Sequence, residues 1–320
     1  MKRSTFVFGV IALFVAAGIS PSKETQKEKR IRWEVKADPV FIEPDDDFVK
    51  DPSVMQAEGR YYMFYTAAAP GFQGGKPPWR IDYATSPDGL RWTKQGTAFA
   101  ADEDTWEAGR VQAPSRPILY KGQYYMFYAG GPRQPVNRVF TGFATSTDLV
   151  HWTKHPQVVE HGAKANDPFV FEDGGRFYLF YTTYDEREPI FYRTSTDLLT
   201  WSGPVRTGAD GEGTSVWKAD GGGYYLIACT GYSGRGEYYK LFTSETLTGF
   251  QDLGKIDMDV PTFATDAFGH GDVIRRGGEE WFYFQGARDG GKTFRIGLAT
   301  HRAGRALRGG EPKAEFRQEK

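Results

Sequence analysis

Five short stretches of the chain are almost continuously aromatic and apolar, and they recur along its length. They read YYMFY, YYMFY, FYLFY, YYLIA and WFYFQ, at 61–65, 124–128, 177–181, 224–228 and 281–285. Near-continuous runs of this kind are typical of strands that are covered on both faces. Because the repeat has a period of roughly 50–60 residues and contains strand patterns only, it indicates the blades of a β-propeller. The sequence therefore predicts an all-β protein with a five-bladed β-propeller fold.

Further strand patterns flank each aromatic stretch. A short strand precedes it across a Gly-containing turn, at 53–56, 117–120, 169–172, 215–218 and 272–275. A second phrase follows it, which we interpret as another strand, at 84–92, 144–152, 193–201, 242–250 and 297–301. Three copies of that phrase end in Trp92, Trp152 and Trp201, which are expected to pack between blades. If the short strand is the innermost one of each blade, the residues just before it lie at the mouth of the central channel.

Those mouth positions carry polar residues. Asp51, Asp167 and Glu212 open blades one, three and four, and His270 opens blade five. A single Asp-Pro or Gly-Glu-Gly is most often an ordinary turn, so the evidence for a site is that the acids share one register. Cleavage of an acetal needs one carboxyl group as acid and another as base or nucleophile. A third carboxylate can raise the pKa of the acid by repulsion.

Charge and terminal composition narrow the class of protein. Basic and acidic residues nearly balance, with a formal net charge of −1, which argues against a nucleic-acid partner. Cys229 is the only cysteine, so no intrachain disulfide can form, and a buried core thiol is expected. Residues 1–20 combine a basic start with an apolar run that is short for a membrane span, which predicts a signal peptide, with an uncleaved anchor as the alternative.

The rest of the chain divides into three parts. Residues 21–37 are predicted to be a polar spacer, residues 38–302 the propeller, and residues 303–320 a basic tail or closing segment. We therefore expect a secreted or periplasmic monomer that binds a carbohydrate and has no membrane partner after signal cleavage.

The chain resembles glycoside hydrolase family 43, in the five-bladed propeller superfamily that also contains family 32. The resemblance covers nearly all of 38–302. It implies that Asp51 is the general base, that Asp167 modulates pKa, and that Glu212 is the general acid. It also implies that His270, in a Gly-His-Gly sequence, lies at the channel axis near a bound calcium or a water cluster, with a water-mediated metal contact and no required cofactor.

Some positions depart from that family's pattern. Thr214 stands where a Pro is common, and Gln112 replaces the Trp that often precedes Ala-Pro in blade two. The TSxDLxxW endings resemble family 32, although Lys50-Asp51-Pro52-Ser53 differs from the Asn-Asp-Pro-Asn-like motif of that family. Related propeller families that act on mannosides or on agar-derived anhydrosugars remain alternative assignments for this chain.

Several further residues are candidates for binding sugar or for supplying the acid. Those predicted to bind substrate are Trp79, Arg116, Trp217, His270 and Arg295, with Trp106 and Tyr232 as further stacking candidates. Alternatives to Glu212 are Glu107, Glu237 and Asp266.

The function expected from the resemblance is hydrolysis of glycosidic bonds in plant- or algal-type polysaccharides or oligosaccharides, arabinofuranosyl or xylosyl linkages first. An inverting mechanism is implied by the resemblance. The alternatives are a retaining, fructosidase-like enzyme of family 32 type and a propeller that binds carbohydrate without catalysis.

Overall fold

The computed structural model describes residues 31–41, 48–68, 79–135, 137–162, 164–183, 188–230, 238–287 and 293–302. Over these ranges the chain forms strands and no helix, so none of the described residues belongs to a helix that could cross a membrane. In chain order the strands are β1 (Arg32–Phe41), β2 (Phe48–Ala57), β3 (Arg60–Ala68), β4 (Arg80–Ser86), β5 (Thr93–Ala100), β6 (Arg110–Gln112), β7 (Ile118–Tyr120), β8 (Gln123–Gly131), β9 (Phe140–Ser146), β10 (Thr153–Val159), β11 (Asn166–Asp173), β12 (Arg176–Thr182), β13 (Pro189–Ser195), β14 (Val205–Asp210), β15 (Glu212–Lys218), β16 (Tyr224–Thr230), β17 (Tyr238–Ser244), β18 (Gln251–Lys255), β19 (Asp257–Met258), β20 (Ala267–Arg276), β21 (Glu279–Ala287) and β22 (Phe294–Arg302).

These strands form five sheets, which are the five predicted blades. From the channel outwards, blades one, three and four run β2 to β5, β11 to β14 and β15 to β18. In blade two, β6 and β7 both pair with β8 and together take the inner position, followed by β9 and β10. Blade five runs β20, β21, β22 and then β1. The predicted all-β, five-bladed propeller is confirmed, as are the five inner and five aromatic strands.

The ring is closed by the N-terminal strand. β1 pairs antiparallel with β22, with Val35 opposite Ala299, and β19 pairs parallel with β1. Trp33 of β1 is fully buried, with its ring centroid 5.6 Å from that of Phe282 in blade five. The predicted spacer is therefore wrong for residues 32–37, which are part of the propeller. Residues 303–320, predicted as a tail or closing segment, lie outside the described residues.

In blades one to four, the repeated phrase after the aromatic strand is the end of a strand followed by a turn, not a whole strand as predicted. In blade five, residues 297–301 lie within β22, as predicted. β4 ends at Ser86, whose hydroxyl donates to Asp88 Oδ1 at 3.0 Å. The same Asp88 oxygen accepts the backbone N–H groups of Leu90 and Arg91, each at 2.9 Å. An Asp side chain that caps backbone donors in this way stabilises a tight turn. Blades two and three repeat the arrangement around Asp148 and Asp197.

The tryptophans of this phrase pack against the preceding blade, as predicted. Trp152 of blade two lies 5.5 Å from Phe64 of blade one, and Trp201 of blade three lies 5.5 Å from Phe127 of blade two, both edge-on. Trp92 contacts Tyr283 of blade five in the same geometry, at 5.8 Å. Each blade thus covers its neighbour, which explains why the second strands are apolar on both faces. Cys229 is buried in this core, as expected.

Candidate active site

A bulge opens the inner strands of blades one, three and four. In each, the inner strand carries one more residue than its partner at the channel mouth. The residue inside the bulge has a left-handed φ, which is 55° at Asp51, 52° at Asp167 and 60° at Gly213. Bulges re-aim side chains and are frequent beside active sites. Asp51 and Asp167 therefore occupy the same position in the bulges of their strands, whereas Glu212 lies one residue before that position. The prediction that the three acids share one register is correct for Asp51 and Asp167 and wrong by one residue for Glu212.

These openings surround a pocket at the channel mouth. Every blade except blade two supplies a polar group to its wall, and blade two supplies Ala113 and Pro114. The lining residues are Asp51, Pro52, Ser53, Ala113, Pro114, Asp167, Pro168, Phe169, Gly213, Thr214, His270, Gly271 and Asp272.

His270 lies between the three predicted carboxyl groups. Its Nδ1 is 2.8 Å from Asp51 Oδ1, and its Nε2 is 3.2 Å from Asp167 Oδ2 and 3.4 Å from Glu212 Oε2. The imidazole side chain is only 12% exposed, so little water screens these contacts. The structure therefore brings together all four residues that the sequence placed at the mouth.

The contacts set the charge states of His270 and Asp51. Burial lowers the pKa of His270, but the charges of Asp167 and Asp51 outweigh it, and this pKa lies well above 6.5. Burial raises the pKa of Asp51, but the charges of Lys50 and His270 outweigh it, and this pKa lies below 3.8. Lys50 Nζ is 3.4 Å from Asp51 Oδ2. Asp51 is thus ionised near neutral pH, as a general base must be.

The backbone and neighbouring side chains also fix the Asp51 carboxylate in place. Thr66 Oγ1 donates to Asp51 Oδ2 at 2.6 Å, and the N–H of Ala113 donates to the same oxygen at 3.3 Å. The N–H of Asp51 itself donates to Gln285 Oε1 at 2.5 Å, so blades one, two and five all hold the residue.

Asp167 and Glu212 are shifted in opposite directions. Burial raises the pKa of Asp167, and the charges of Glu212 and Asp51 add to the rise, while contact with His270 opposes it. Burial also raises the pKa of Glu212, but the hydrogen bond and charge of His270 outweigh it, and this pKa lies below 4.5. The expected rise in the pKa of Glu212 is wrong, because contact with the protonated imidazole outweighs burial, the cause that raises this pKa.

One acidic residue at this site was missed by the sequence analysis. Glu188 lies close enough to Glu212 for each carboxyl group to shift the pKa of the other. Burial, together with the charge and hydrogen bond of Glu212, raises the pKa of Glu188 to about 7. Glu188 precedes β13, where the chain returns from the mouth end of β12. The only sequence signal is an acidic stretch, YDEREP, between two strands of one blade, and that stretch does not show which of its acids faces the site.

Arg116, predicted to bind substrate, crosses the channel to blade five. Its Nε donates to Asp272 Oδ2 at 3.2 Å, Nη2 contacts Oδ1 of the same residue, and Nη2 donates to the Val273 carbonyl at 2.6 Å. Asp272 also accepts from the backbone N–H of Val54 at 2.8 Å and from Ser215 Oγ at 2.9 Å. The guanidinium is thus part of a cross-channel network that joins blades one, two, four and five, and its role in binding sugar stays a prediction.

Trp217 cannot stack on a sugar, and this prediction is wrong. Its side chain is 3% exposed and packs in the core between blades four and five, with its ring centroid 6.5 Å from that of Trp33. Its indole N–H donates to Glu280 Oε1 at 2.6 Å. Because side chains alternate between the two faces of a strand, a Trp near the mouth in sequence can still point into the blade interface.

Trp79 and Arg295, the other predicted substrate residues, lie near the boundary of blades one and five. Trp79 packs edge-on against Phe48 at 5.3 Å, and Lys50 Nζ lies 5.1 Å from the Trp79 ring centroid. Phe48 also contacts Phe294, the residue before Arg295, at 5.2 Å. Their contact with substrate stays a prediction.

The remaining alternatives are separated from the site or lie outside the described residues. Glu107 is buried, accepts from Tyr128 Oη at 2.5 Å and is paired with Lys154, which is a structural arrangement. Trp106 stacks on the same Tyr128 at 6.0 Å. Asp266 is exposed, and its backbone N–H donates to the Ala287 carbonyl at 3.0 Å. Glu237 and Tyr232 lie outside the described residues.

The fit of a metal to this cluster can be tested from its donor atoms. Ligand atoms of Asp167, Glu212 and His270 lie within 4.8 Å of one another. Both nitrogens of His270 face carboxylate oxygens, however, and a protonated imidazole has no lone pair for a metal. The cluster therefore fits an imidazolium and does not fit a metal ligated directly by His270. The predicted calcium contact through water stays a prediction.

Two curated proteins illustrate what the chain resembles in sequence. It is 26% identical over 145 residues to a 1,2-beta-oligomannan phosphorylase of Thermoanaerobacter sp. (strain X514), covering 45% of this chain and 48% of that protein. It is 23% identical over 207 residues to an acid beta-fructofuranosidase of Solanum lycopersicum, covering 57% of this chain and 32% of that protein. The matched region spans less than half the length of these curated relatives.

A comparison with solved structures and a family profile address the fold and the family. A solved family 43 beta-xylosidase/alpha-arabinofuranosidase from a compost microbial metagenome superposes with a TM-score of 0.66 at 15% identity, covering 83% of this chain and 93% of that one. The sequence profile of Glycosyl hydrolases family 43 matches residues 46–303, which include all five inner strands and the four clustered residues. The chain therefore belongs to glycosyl hydrolase family 43.

Proposed function

We propose that this protein hydrolyses glycosidic bonds of plant- or algal-type polysaccharides or oligosaccharides, arabinofuranosyl or xylosyl linkages first. The observation that carries the proposal is the group of three carboxyls around His270, which together with Asp51 and Asp167 lines a pocket where the propeller's inner strands meet. Asp167 Oδ1 and Glu212 Oε1 are buried without a hydrogen-bond donor among the described residues. Buried acceptors of this kind favour a ligand rich in hydroxyl groups. Membership of family 43 supports the reaction class.

The positions of the carboxyls favour an inverting mechanism. Asp51 lies at Nδ1 of His270 and Glu212 at Nε2, so the width of the imidazole ring separates them. Inverting enzymes hold their two carboxyls about 6.5–9.5 Å apart to admit a water molecule, whereas retaining ones hold them about 5–5.5 Å apart. A whole ring between the two groups supports the wider class.

In the proposed reaction, each carboxyl has a separate role. Asp51, ionised and held by Thr66 and Ala113, takes a proton from the water that attacks the anomeric carbon. Glu212 protonates the leaving oxygen as the glycosidic bond breaks. Asp167 affects both residues through His270, which contacts all three.

The test is hydrolysis of a panel of aryl glycosides and oligosaccharides, with arabinofuranosides and xylosides first and galactosides and fructans as comparisons. Asp51→Asn and Glu212→Gln should each lower kcat by about 10²–10⁴-fold, the usual contribution of a general base or acid. Asp252→Asn and Glu245→Gln make the same chemical changes at exposed positions of blade four and should leave kcat unchanged. If both site variants stay within about tenfold of wild type, the residue assignment is refuted.

The sequence match to a fructofuranosidase supports one second candidate, a retaining enzyme in which Asp51 is the nucleophile. NMR of the first-formed product anomer separates the two mechanisms, since inversion and retention give opposite anomers. Binding of oligosaccharides without any product would support a non-catalytic propeller.

We also propose that the protein acts outside the cytoplasm as a monomer and binds no nucleic acid. The signal peptide that motivates this location, residues 1–20, lies outside the described residues. Edman sequencing of the exported protein would show whether the mature chain begins after residue 20.

A further inference from the structure

Three blades carry the same unfavourable backbone conformation at the channel mouth, although one of them places no acid there. Asp51, Asp167 and Ala113 have left-handed φ angles of 55°, 52° and 49°, and each precedes a proline. A Cβ is crowded at positive φ, and a following proline favours extended conformations instead. Residues in such conformations persist where the surrounding structure fixes them, and they cluster at functional sites. Ala113 of blade two has no polar side chain to aim, so another of its groups must explain the conformation.

That group is the backbone N–H of Ala113, which reaches the base of blade one. It donates to Thr66 Oγ1 at 2.8 Å and to Asp51 Oδ2 at 3.3 Å. Thr66 is fully buried in β3, the strand beside the inner strand of blade one. The Thr66 hydroxyl donates to the same Asp51 oxygen at 2.6 Å. Blade two therefore contributes a main-chain donor to the site in place of an acid.

These bonds make the two oxygens of the Asp51 carboxylate different. Because Thr66 Oγ1 accepts the N–H of Ala113, its single proton is free to point at Asp51. Each carboxylate oxygen offers about two lone pairs, and Thr66 and Ala113 occupy both of those on Oδ2. Oδ1 accepts neither bond and faces His270 Nδ1 at 2.8 Å, which leaves it a lone pair. Asp51 and His270 both line the pocket.

The repeat supplies an internal comparison in blade three. Thr182 of β12 and Thr66 of β3 are equivalent, since each pairs with the residue immediately before the acid of its blade. Both are fully buried. The Thr182 hydroxyl, however, donates to the Gly211 carbonyl at 2.9 Å and not to Asp167. The same threonine position therefore serves different ends in the two blades, and it is the acid of blade one that it holds.

We propose, on the basis of the hydrolytic function proposed above, that Thr66 and the N–H of Ala113 hold Oδ2 of Asp51 so that Oδ1 takes the proton of the attacking water. An O–H bond of the water breaks, its proton bonds to Oδ1, and its oxygen bonds to the anomeric carbon. The glycosidic C–O bond breaks as the leaving oxygen takes a proton from Glu212. Thr66 touches none of the reacting atoms, so it is a positioning residue that acts through Asp51.

The first test separates kcat from KM. Thr66→Val removes the hydroxyl, and kcat should fall about 10–10²-fold because the base loses its alignment. KM should stay within about twofold, because a fully buried Thr66 does not contact the sugar. Thr66→Ser keeps the hydroxyl and should retain kcat within about threefold. Wild-type kcat in Thr66→Val, or an equal loss in Thr66→Ser, would refute the role of the Thr66 hydroxyl.

Thr207→Val is the matched control. Thr207 is also fully buried, and it lies in β14, the outermost strand of blade three. Its hydroxyl has the same pattern of bonds, since it accepts the N–H of Ala209 at 3.0 Å and donates to the Ile190 carbonyl at 2.8 Å. Thr207→Val should therefore lower the urea midpoint about as much as Thr66→Val does, and it should leave kcat unchanged. An equal fall of kcat in both variants would show a general loss of structure and would contradict the proposal.

The second test asks whether Thr66 acts through Asp51. Adding Thr66→Val to Asp51→Asn should change kcat by less than about threefold, because a positioning residue has no effect once the group that it positions is lost. Independent effects would multiply. A further fall of about tenfold or more in the double variant would mean that Thr66 acts by another route.

A third measurement needs no substrate. Hydrogen exchange at the Ala113 amide, followed by ¹⁵N-edited NMR of the full chain, should be slow in the wild type, Thr66→Ser and Thr207→Val, and at least about tenfold faster in Thr66→Val. An equal exchange rate in Thr66→Val and the wild type would overturn the proposal. If the wild type cleaves no glycoside of the panel, the hydrolytic function fails and the role of Oδ1 falls with it. The exchange rates then still decide whether Thr66 holds Ala113 in place.

Discussion

Gly213 offers the sharpest test of how the backbone positions His270. Its φ is 60°, and a Cβ added there would lie 2.6 Å from Cα, Cγ and Cδ2 of His270. Backbone Cα cannot move as a flexible side-chain tip can, so the histidine must shift as a unit. Gly174 has the same φ of 60° in the turn between β11 and β12, and its added Cβ would meet nothing within 4 Å.

The two glycines allow strain and steric contact to be separated. Gly174→Ala should lose about 1–2 kcal/mol of unfolding free energy from the left-handed backbone alone. Gly213→Ala should lose a similar amount plus about 1–3 kcal/mol for overpacking against His270. Because misplacement of a catalytic group by about 1 Å can cost about 10²-fold in rate, kcat/KM should fall about that much in Gly213→Ala and stay near wild type in Gly174→Ala.

Urea denaturation measures the free energies, and kcat/KM on the best substrate of the panel measures the activity. NMR of the imidazole of His270 adds a reading that needs no substrate, since a displaced ring loses contact with Asp51 and Asp167. If the two alanine variants lose equal stability and Gly213→Ala keeps wild-type kcat/KM, the argument that Gly213 makes room for His270 is refuted.

Three further predictions concern stability. The pKa of His270 is raised above 6.5, so the stability that this residue contributes is present in full below pH 6.5 and is lost as the pH rises through the raised pKa. The unfolding free energy of the wild type should therefore exceed that of His270→Gln by less at alkaline pH. Urea titrations at several pH values measure this difference. Trp217→Phe removes the indole N–H that donates to the buried carboxyl of Glu280 at 2.6 Å, so the unfolding free energy should fall by about 1–3 kcal/mol while KM stays unchanged. A rise in KM without a loss of stability would instead support the sugar-stacking role of Trp217. Arg116→Met removes the cation from buried Asp272 and should lower the unfolding free energy by about 3–5 kcal/mol, measured by thermal and urea unfolding. Adding Asp272→Asn to Arg116→Met should recover part of that loss, because the unpaired charge is gone. If the double variant recovers none of it, the charge argument is contradicted.

Repetition explains why much of this molecule could be predicted from sequence. Five copies of one strand pattern define the blades, and the start of each inner strand locates Asp51 and Asp167 without any structure. The position of a side chain across a strand is harder to predict. Trp217 lies only a few residues from the mouth, yet the alternation of β15 turns it into the core.

The electrostatics of the site could not be read from the sequence either. The pKa of Glu212 depends on His270, which comes from another blade, and on Glu188, which follows other acids in the sequence. Distances between residues of different blades determine these pKa shifts, and those distances cannot be predicted from the order of residues along the chain. The closing strand was also not predictable, since no local pattern in residues 32–41 indicates that this strand pairs with β22.

The closure of blade five by β1 bears on how the protein is made. Of the described strands β1 is synthesised first, and its residues from Glu34 onwards must wait for β22, the last described strand, before their backbone groups can pair. Until then β22 would present an open edge, which invites pairing with other chains. Pairing between the two ends of a chain also slows folding, because a long loop must close first. Shortening the chain past Trp33 removes β1 from the ring, leaves the edge of β22 open and should give a species prone to aggregate.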